Sequence, residues 1–195
     1  MMSTQDPKIH HSPATKALAM GMALKKMYEM GRKDFNSENF SGLKLSCCKL
    51  SAISLTSSDL RNADLDLTDL SESDLRGANL ERSTLSFTNL TNADLSNVNL
   101  KEANLGGADL SRAILRGANL RGANLRGANL SNAHLEFANL QGADLTGANC
   151  FGCNLSYADL QHANLTDACL DEANLLKSNF EYALLDGATL NNTSY

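Results

Sequence analysis

Arg116-Gly117-Ala118-Asn119-Leu120-Arg121-Gly122-Ala123-Asn124-Leu125-Arg126-Gly127-Ala128-Asn129-Leu130 speaks one five-residue phrase three times without a break. Outward from it the same beat runs from Phe35 to Tyr195: 28 of its 33 positions are Leu, the exceptions being Phe35, Phe40, Cys150, Phe180 and Tyr195. On an α-helix a five-residue step rotates the side chain by about 140°, which would wind the leucines round the cylinder. On an extended strand it would put successive leucines on opposite faces. The leucines share one interior only if the chain turns once per pentad, with a very short extended piece between corners, and if such units stack on copies of themselves.

The other positions agree with this. Two residues before the beat the side chain is small: from Ala63 onward 19 of 27 are Ala and the rest Ser, Thr, Val or Cys. The residue between these two inward positions points outward and is mostly Asn or Asp, as at Asp64, Asn79, Asn104 and Asp144. Ten of the 13 glycines sit second after the beat, where a type II turn needs a positive φ, and Asn62, Asn92, Asn97 and Asn132 suit the same place. Both prolines, Pro7 and Pro13, precede the repeats, so no repeat residue loses its backbone donor. Leu43, Cys48 and Ile53, with the small hydroxyls Thr68, Ser73, Ser83 and Thr88, read as variants inside the same coil, because the count never slips.

Segments such as Ala118-Asn119-Leu120-Arg121-Gly122 resemble the A(D/N)LXX motif of the pentapeptide-repeat family, in the leucine-centred, alanine-rich style of its cyanobacterial members. The resemblance covers about four fifths of the chain. It implies an all-β solenoid, a right-handed quadrilateral β-helix with four pentads per coil and Leu and Ala inside. On that count residues 20 apart stack in columns, and the repeats make about eight coils, a shaft of roughly 40 Å at β-ladder spacing.

The expected organisation is a disordered leader over residues 1–12, an N-terminal capping helix over 13–31 and the β-helix over 32–195. Ser12 suits an N-cap, Pro13 the first helical position and Gly31 the residue after the helix. Ala17, Met20, Leu24, Met27 and Tyr28 share one face, which can cover the first coil beside Phe35 and Phe40; a membrane-surface or partner-binding helix is the alternative. At the other end Phe180, Tyr182 and Tyr195 are bulky enough to plug the last coil, failing which two molecules can stack end to end as a homodimer through it.

The 195 residues carry a net charge of −5, divided unevenly: residues 1–34 hold six Lys or Arg against three acids, the repeats eleven against nineteen. The run from Ala17 to Leu24 is too short to span a membrane, so the expectation is a cytoplasmic protein with no membrane contact. Cys48, Cys150 and Cys153 fall on inward positions, which favours packing over metal for the Cys150–Cys153 pair. His10, His11, His134 and His162 are dispersed, and the glycines recur at corners and do not form one phosphate-gripping loop. The reading is therefore a non-enzyme with no cofactor and no metal.

What remains is the outer surface. Arg112, Arg116, Arg121 and Arg126 stand one per corner of a single coil as a basic belt, although tandem drift of one phrase also explains them. Phe137 and Tyr157 stack in one corner column with Lys177 next, and Leu67 and Phe87 in another; such columns either cover coil junctions or anchor contacts. The leading functional expectation is a rigid scaffold that meets a protein partner of unknown identity through this skin. The alternative, which the resemblance allows, is an acidic rod that mimics DNA in a type II topoisomerase such as gyrase. The Leu centres, uninterrupted count and arginine belt weigh against it. Direct nucleic-acid binding is disfavoured by the acidic shaft.

Overall fold

A computed structural model describes residues 12–195; residues 1–11 of the expected leader lie outside the described residues. Every backbone bridge in the shaft is parallel and joins residues 20 apart, from Asp34 with Ser54 to Asn174 with Ser194. One coil is therefore four pentads, and the chain climbs as a four-sided shaft. We number the sides by their outward residues: side 1 carries Ile114, His134 and Asn154, side 2 Asn119 and Asn139, side 3 Asn124 and Asp144, side 4 Asn129 and Asn149. Each corner takes the number of the side it follows.

One pentad shows how the ladder is built. The Leu120 N–H donates to the Asn139 carbonyl above at 2.7 Å, and the Gly122 N–H to that of Gln141 at 2.9 Å. The Asn124 N–H donates to the Ala103 carbonyl below at 2.9 Å, while the Ala123 N–H closes the turn on Leu120 at 3.0 Å. Three of every five amides thus bind coil to coil, and a fourth makes the corner. The second corner residue has positive φ at every corner from Ser37 to Asn192, in ten glycines and 22 other residues. Leu67, Phe87, Phe137, Tyr157 and Tyr182 are among them, with φ of 55–61°. Bulky side chains rarely accept that conformation.

The interior is a dry column. The leucines on the five-residue beat from Leu45 to Leu170 and the alanines two residues before them are buried, each large side chain contributing about 1.5–3 kcal/mol while its neighbours above and below persist. The small hydroxyls in the early coils are buried too and bond inward: Thr68 Oγ1 donates to the Leu45 carbonyl and Thr88 Oγ1 to that of Leu65, both at 2.8 Å. Cys150 and Cys153 sit in the same column, where Cys153 Sγ meets the Leu130 carbonyl at 2.8 Å.

Helix α1 spans Pro13–Glu29, with the Ser12 side chain accepting from the Thr15 N–H at 3.3 Å. Leu24 is buried, Met20, Met27 and Tyr28 pack on the core, and the Tyr28 hydroxyl donates to the Ser51 carbonyl at 2.8 Å. The closest approach is at Gly21, where a Cβ would overlap the Lys44 carbonyl oxygen. At the far end the expected plug is different from what the residues do. Tyr182 stands on a corner with its ring stacked on His162 at 5.0 Å, and Tyr195 is largely exposed. Phe180 faces inward and lines, with Leu175, Leu185, Leu190 and Tyr195, an open recess of about 220 Å³.

Candidate interaction surface

The four sides differ little in backbone, so their side chains decide what each can touch. The outward Asn and Asp are largely occupied with the shaft itself. Asn79 Oδ1 accepts the Glu81 N–H at 3.1 Å and the Asn99 amide at 3.0 Å, and Asn99 Oδ1 accepts that of Asn119 at 3.1 Å. The repeat thus uses Asn as a turn former and as a rung of an amide ladder. Several carboxylates are neutralised in place: Asp59 by Arg61 and Asp74 by Arg76, each at 2.6 Å, and Asp144 by Arg126 at 3.2 Å. Hydrogen bonds from Arg61 and Arg76 hold the Asp59 and Asp74 carboxyls below the usual range.

The arginine belt exists as a ring but not as one site. Arg112 stands on corner 4, Arg116 on corner 1, Arg121 on corner 2 and Arg126 on corner 3, so they point four ways and a partner on one side meets two. Arg116 lies over the Phe137 ring at 5.3 Å, whereas Arg112 makes no ion pair among the described residues. Leu67 and Phe87 are both exposed on corner 3; the Phe87 ring rests on Gly107, where a Cβ would come within 2.5 Å of it.

The structure brings a different subset together. Phe137 and Tyr157 stack face to face on corner 1 with centroids 5.0 Å apart and planes within 14°. Arg116 covers one end of the pair and Lys177 Nζ the other, at 5.3 Å from Tyr157, a cation–aromatic–aromatic–cation column. Ile114, Phe151 and Leu176, which sequence reasoning left aside, are partly exposed around the same side: Ile114 at its centre, Phe151 on corner 4 and Leu176 on corner 1. Their common side follows from the 20-residue register, so the signal was present once columns were drawn. Side 1 above Ile114 is therefore the part of the shaft where large apolar groups gather, with Arg112 and Arg116 at its lower corners.

Beneath this surface Glu136 accepts from the Asn154 amide at 2.7 Å through Oε1, which also lies 3.5 Å from His134 Nδ1. Its Oε2 is closed from solvent and accepts no hydrogen bond. In the core, a different region, contact with the neighbouring Cys150 first and desolvation second push the Cys153 thiol well up. Among the described residues no cluster of His, Cys, Asp and Glu stands together at metal-binding distance, and no helix is long and apolar enough to cross a membrane.

The model of the family described as pentapeptide repeats matches residues 39–71, 48–86, 78–117, 113–149 and 153–192. Among solved structures the chain is similar to HetL, a pentapeptide repeat protein involved in heterocyst differentiation regulation from the cyanobacterium Nostoc sp. strain PCC 7120. It is 30% identical, over 88% of this chain and 92% of that one, at a TM-score of 0.46. It is also similar to QnrB1, a plasmid-mediated fluoroquinolone resistance protein, at 19% identity over 83% of this chain and 88% of that one, with a TM-score of 0.70. No curated protein matches the chain. With the five-residue beat, the 20-residue coil and the family match in agreement, the chain belongs to the pentapeptide-repeat family, and its shaft is a right-handed quadrilateral β-helix.

Proposed function

We propose that the protein is a non-enzymatic scaffold that binds a protein partner through side 1, with Arg112, Arg116, Phe137 and Tyr157 as its anchors. One observation carries the reading: corner 1 holds Phe137 and Tyr157 at φ 61°, where glycine would be the least strained residue. A left-handed corner costs a bulky residue about 1–2 kcal/mol, and stacking returns about 0.5–1.5 kcal/mol for the pair. The fold alone gains little from these rings. Both remain about half exposed, so their apolar area is still available to a partner. Aromatic and arginine side chains on a stiff backbone are the composition of binding hot spots, and such a surface loses little entropy on association.

The test compares affinity capture by the protein, by the double variant Phe137→Ser/Tyr157→Ser, and by Leu67→Ser/Phe87→Ser on corner 3. Partners that leave only with the first pair support side 1. An unchanged set of partners in the first pair sinks it. The DNA-mimic alternative has less support, because Arg61, Arg76 and Arg126 neutralise outward carboxylates and the arginine ring interrupts the negative field in mid-shaft. Inhibition of gyrase supercoiling by micromolar protein would restore it.

A further inference from the structure

The charges around side 1 are arranged for a second copy of the same surface, and we infer that this side pairs two copies of the chain face to face with their shafts antiparallel. The inference rests on the reading of side 1 as a protein-binding surface and names its partner. Corner 4 reads, going up the shaft, Arg112, Asn132, Gly152, Glu172. Arg112 and Glu172 are both exposed, and neither makes an ion pair among the described residues. They stand three coils apart, about 14 Å at ladder spacing, with a cation at one end of the column and an anion at the other.

A two-fold axis across the shaft, level with the midpoint of this column, keeps each corner opposite the same corner of the other copy and inverts its order. Arg112 then faces Glu172 twice, once in each direction, as an isologous contact requires. Asn132 and Gly152 meet near the axis, where the Asn132 side chain of each copy already lies over its own Gly152. On corner 1 the same axis sets Phe137 against Tyr157, and on the flat of the side His134 against Asn154. A parallel arrangement, by contrast, sets Arg112 against Arg116 and joins Glu172 only to Lys177, a cation already laid over its own Tyr157 ring. Only the antiparallel register joins the two charges that lack a partner of their own, Arg112 and Glu172, and all three columns share nearly one centre.

One contact is mismatched. Arg116 meets Lys177 across the axis, although each cation is already laid over its own aromatic ring. The patch is also small, three coil steps long and one side wide, a few hundred Å² per copy against about 800 Å² in a standard interface. The dimer is consequently weak and transient.

The decisive experiment is sedimentation equilibrium of the full chain over a concentration series, at low salt, with charge-reversal variants. Wild type self-associates to a dimer. Arg112→Glu and Glu172→Arg each weaken it at least tenfold, the double variant returns to within about threefold of wild type, and Lys177→Glu tightens it by removing the mismatch. Circular dichroism of the five proteins guards against misfolding, and rescue by the double variant cannot arise from it. A wild type that stays monomeric at several hundred micromolar overturns the pairing, as does a double variant no better than the singles. Neither result touches the broader reading of side 1, which falls only if the Phe137/Tyr157 variant keeps its partners.

Discussion

The corners make the most exacting prediction, because two glycines with nearly the same backbone have different surroundings. Gly107 and Gly127 have φ 65° and 61° on corner 3, one coil apart. A Cβ at Gly127 meets nothing within 4 Å, so Gly127→Ala pays only for the left-handed backbone. That strain is about 1–2 kcal/mol, and restricting the unfolded chain returns about 0.4–1 kcal/mol, which leaves a loss of about 1 kcal/mol. A Cβ at Gly107 falls 2.5 Å from Cε1 and 2.6 Å from Cδ1 of Phe87, so the ring must swing away. Phe87 is two-thirds exposed and free to do so, and Gly107→Ala therefore loses the ring's contact as well, about 2 kcal/mol in all. In a Phe87→Ala background the extra cost vanishes and Gly107→Ala falls to the Gly127→Ala value. Urea unfolding of the four proteins and the double variant measures this as a double-mutant cycle. A neutral Gly127→Ala would refute the left-handed corner, and equal costs in both backgrounds would refute the seat that Gly107 gives Phe87.

Leu120→Ala, at a fully buried position in mid-shaft, should cost about 3–5 kcal/mol, while Leu185→Ala, whose side chain is more than a third exposed in the last coil, should cost under about 1 kcal/mol by the same denaturation. Tyr28→Phe should lose about 1 kcal/mol through its bond to the Ser51 carbonyl, and amide exchange should rise in the first coil with α1 loosened. With pH, Asp59 and Asp74 have folded pKa values below their unfolded ones. Their contribution is therefore complete above about pH 4 and fades as pH falls through the folded values, so thermal stability should hold from pH 7 to 5 and decline below 4. Arg61→Gln and Arg76→Gln together should flatten that decline, and an unchanged acid limb would show that the pairs do not contribute to it.

The fold was legible because a strict period leaves the chain few options: five residues fit neither helix nor strand, and the inward Leu and Ala agree with the corners at every step. Asn179 and Asn79 did not announce that their side chains brace the next residues, since an outward Asn reads the same whether it is solvated or hydrogen-bonded. The bulk of Tyr182 suggests a plug, but its column puts it on a corner above His162. The interaction surface was half visible. Arg112, Arg116, Phe137 and Tyr157 stood out by type, but which of them share a side depends on the 20-residue register, and so does the company of Ile114, Phe151 and Leu176. Glu136 gave no signal at all, because its partner Asn154 lies in the next coil, 18 residues on.

The proposed scaffold role confines recognition to one side of an otherwise self-satisfied shaft. A photoreactive residue placed in turn at Tyr157 and His134 on side 1 and at Gly127 and Gly147 on corner 3 asks this directly in the living cell. Protein adducts, a doubled chain among them, are expected from the first two positions and not from the others. Adducts of equal yield from corner 3, or none from side 1, would contradict it.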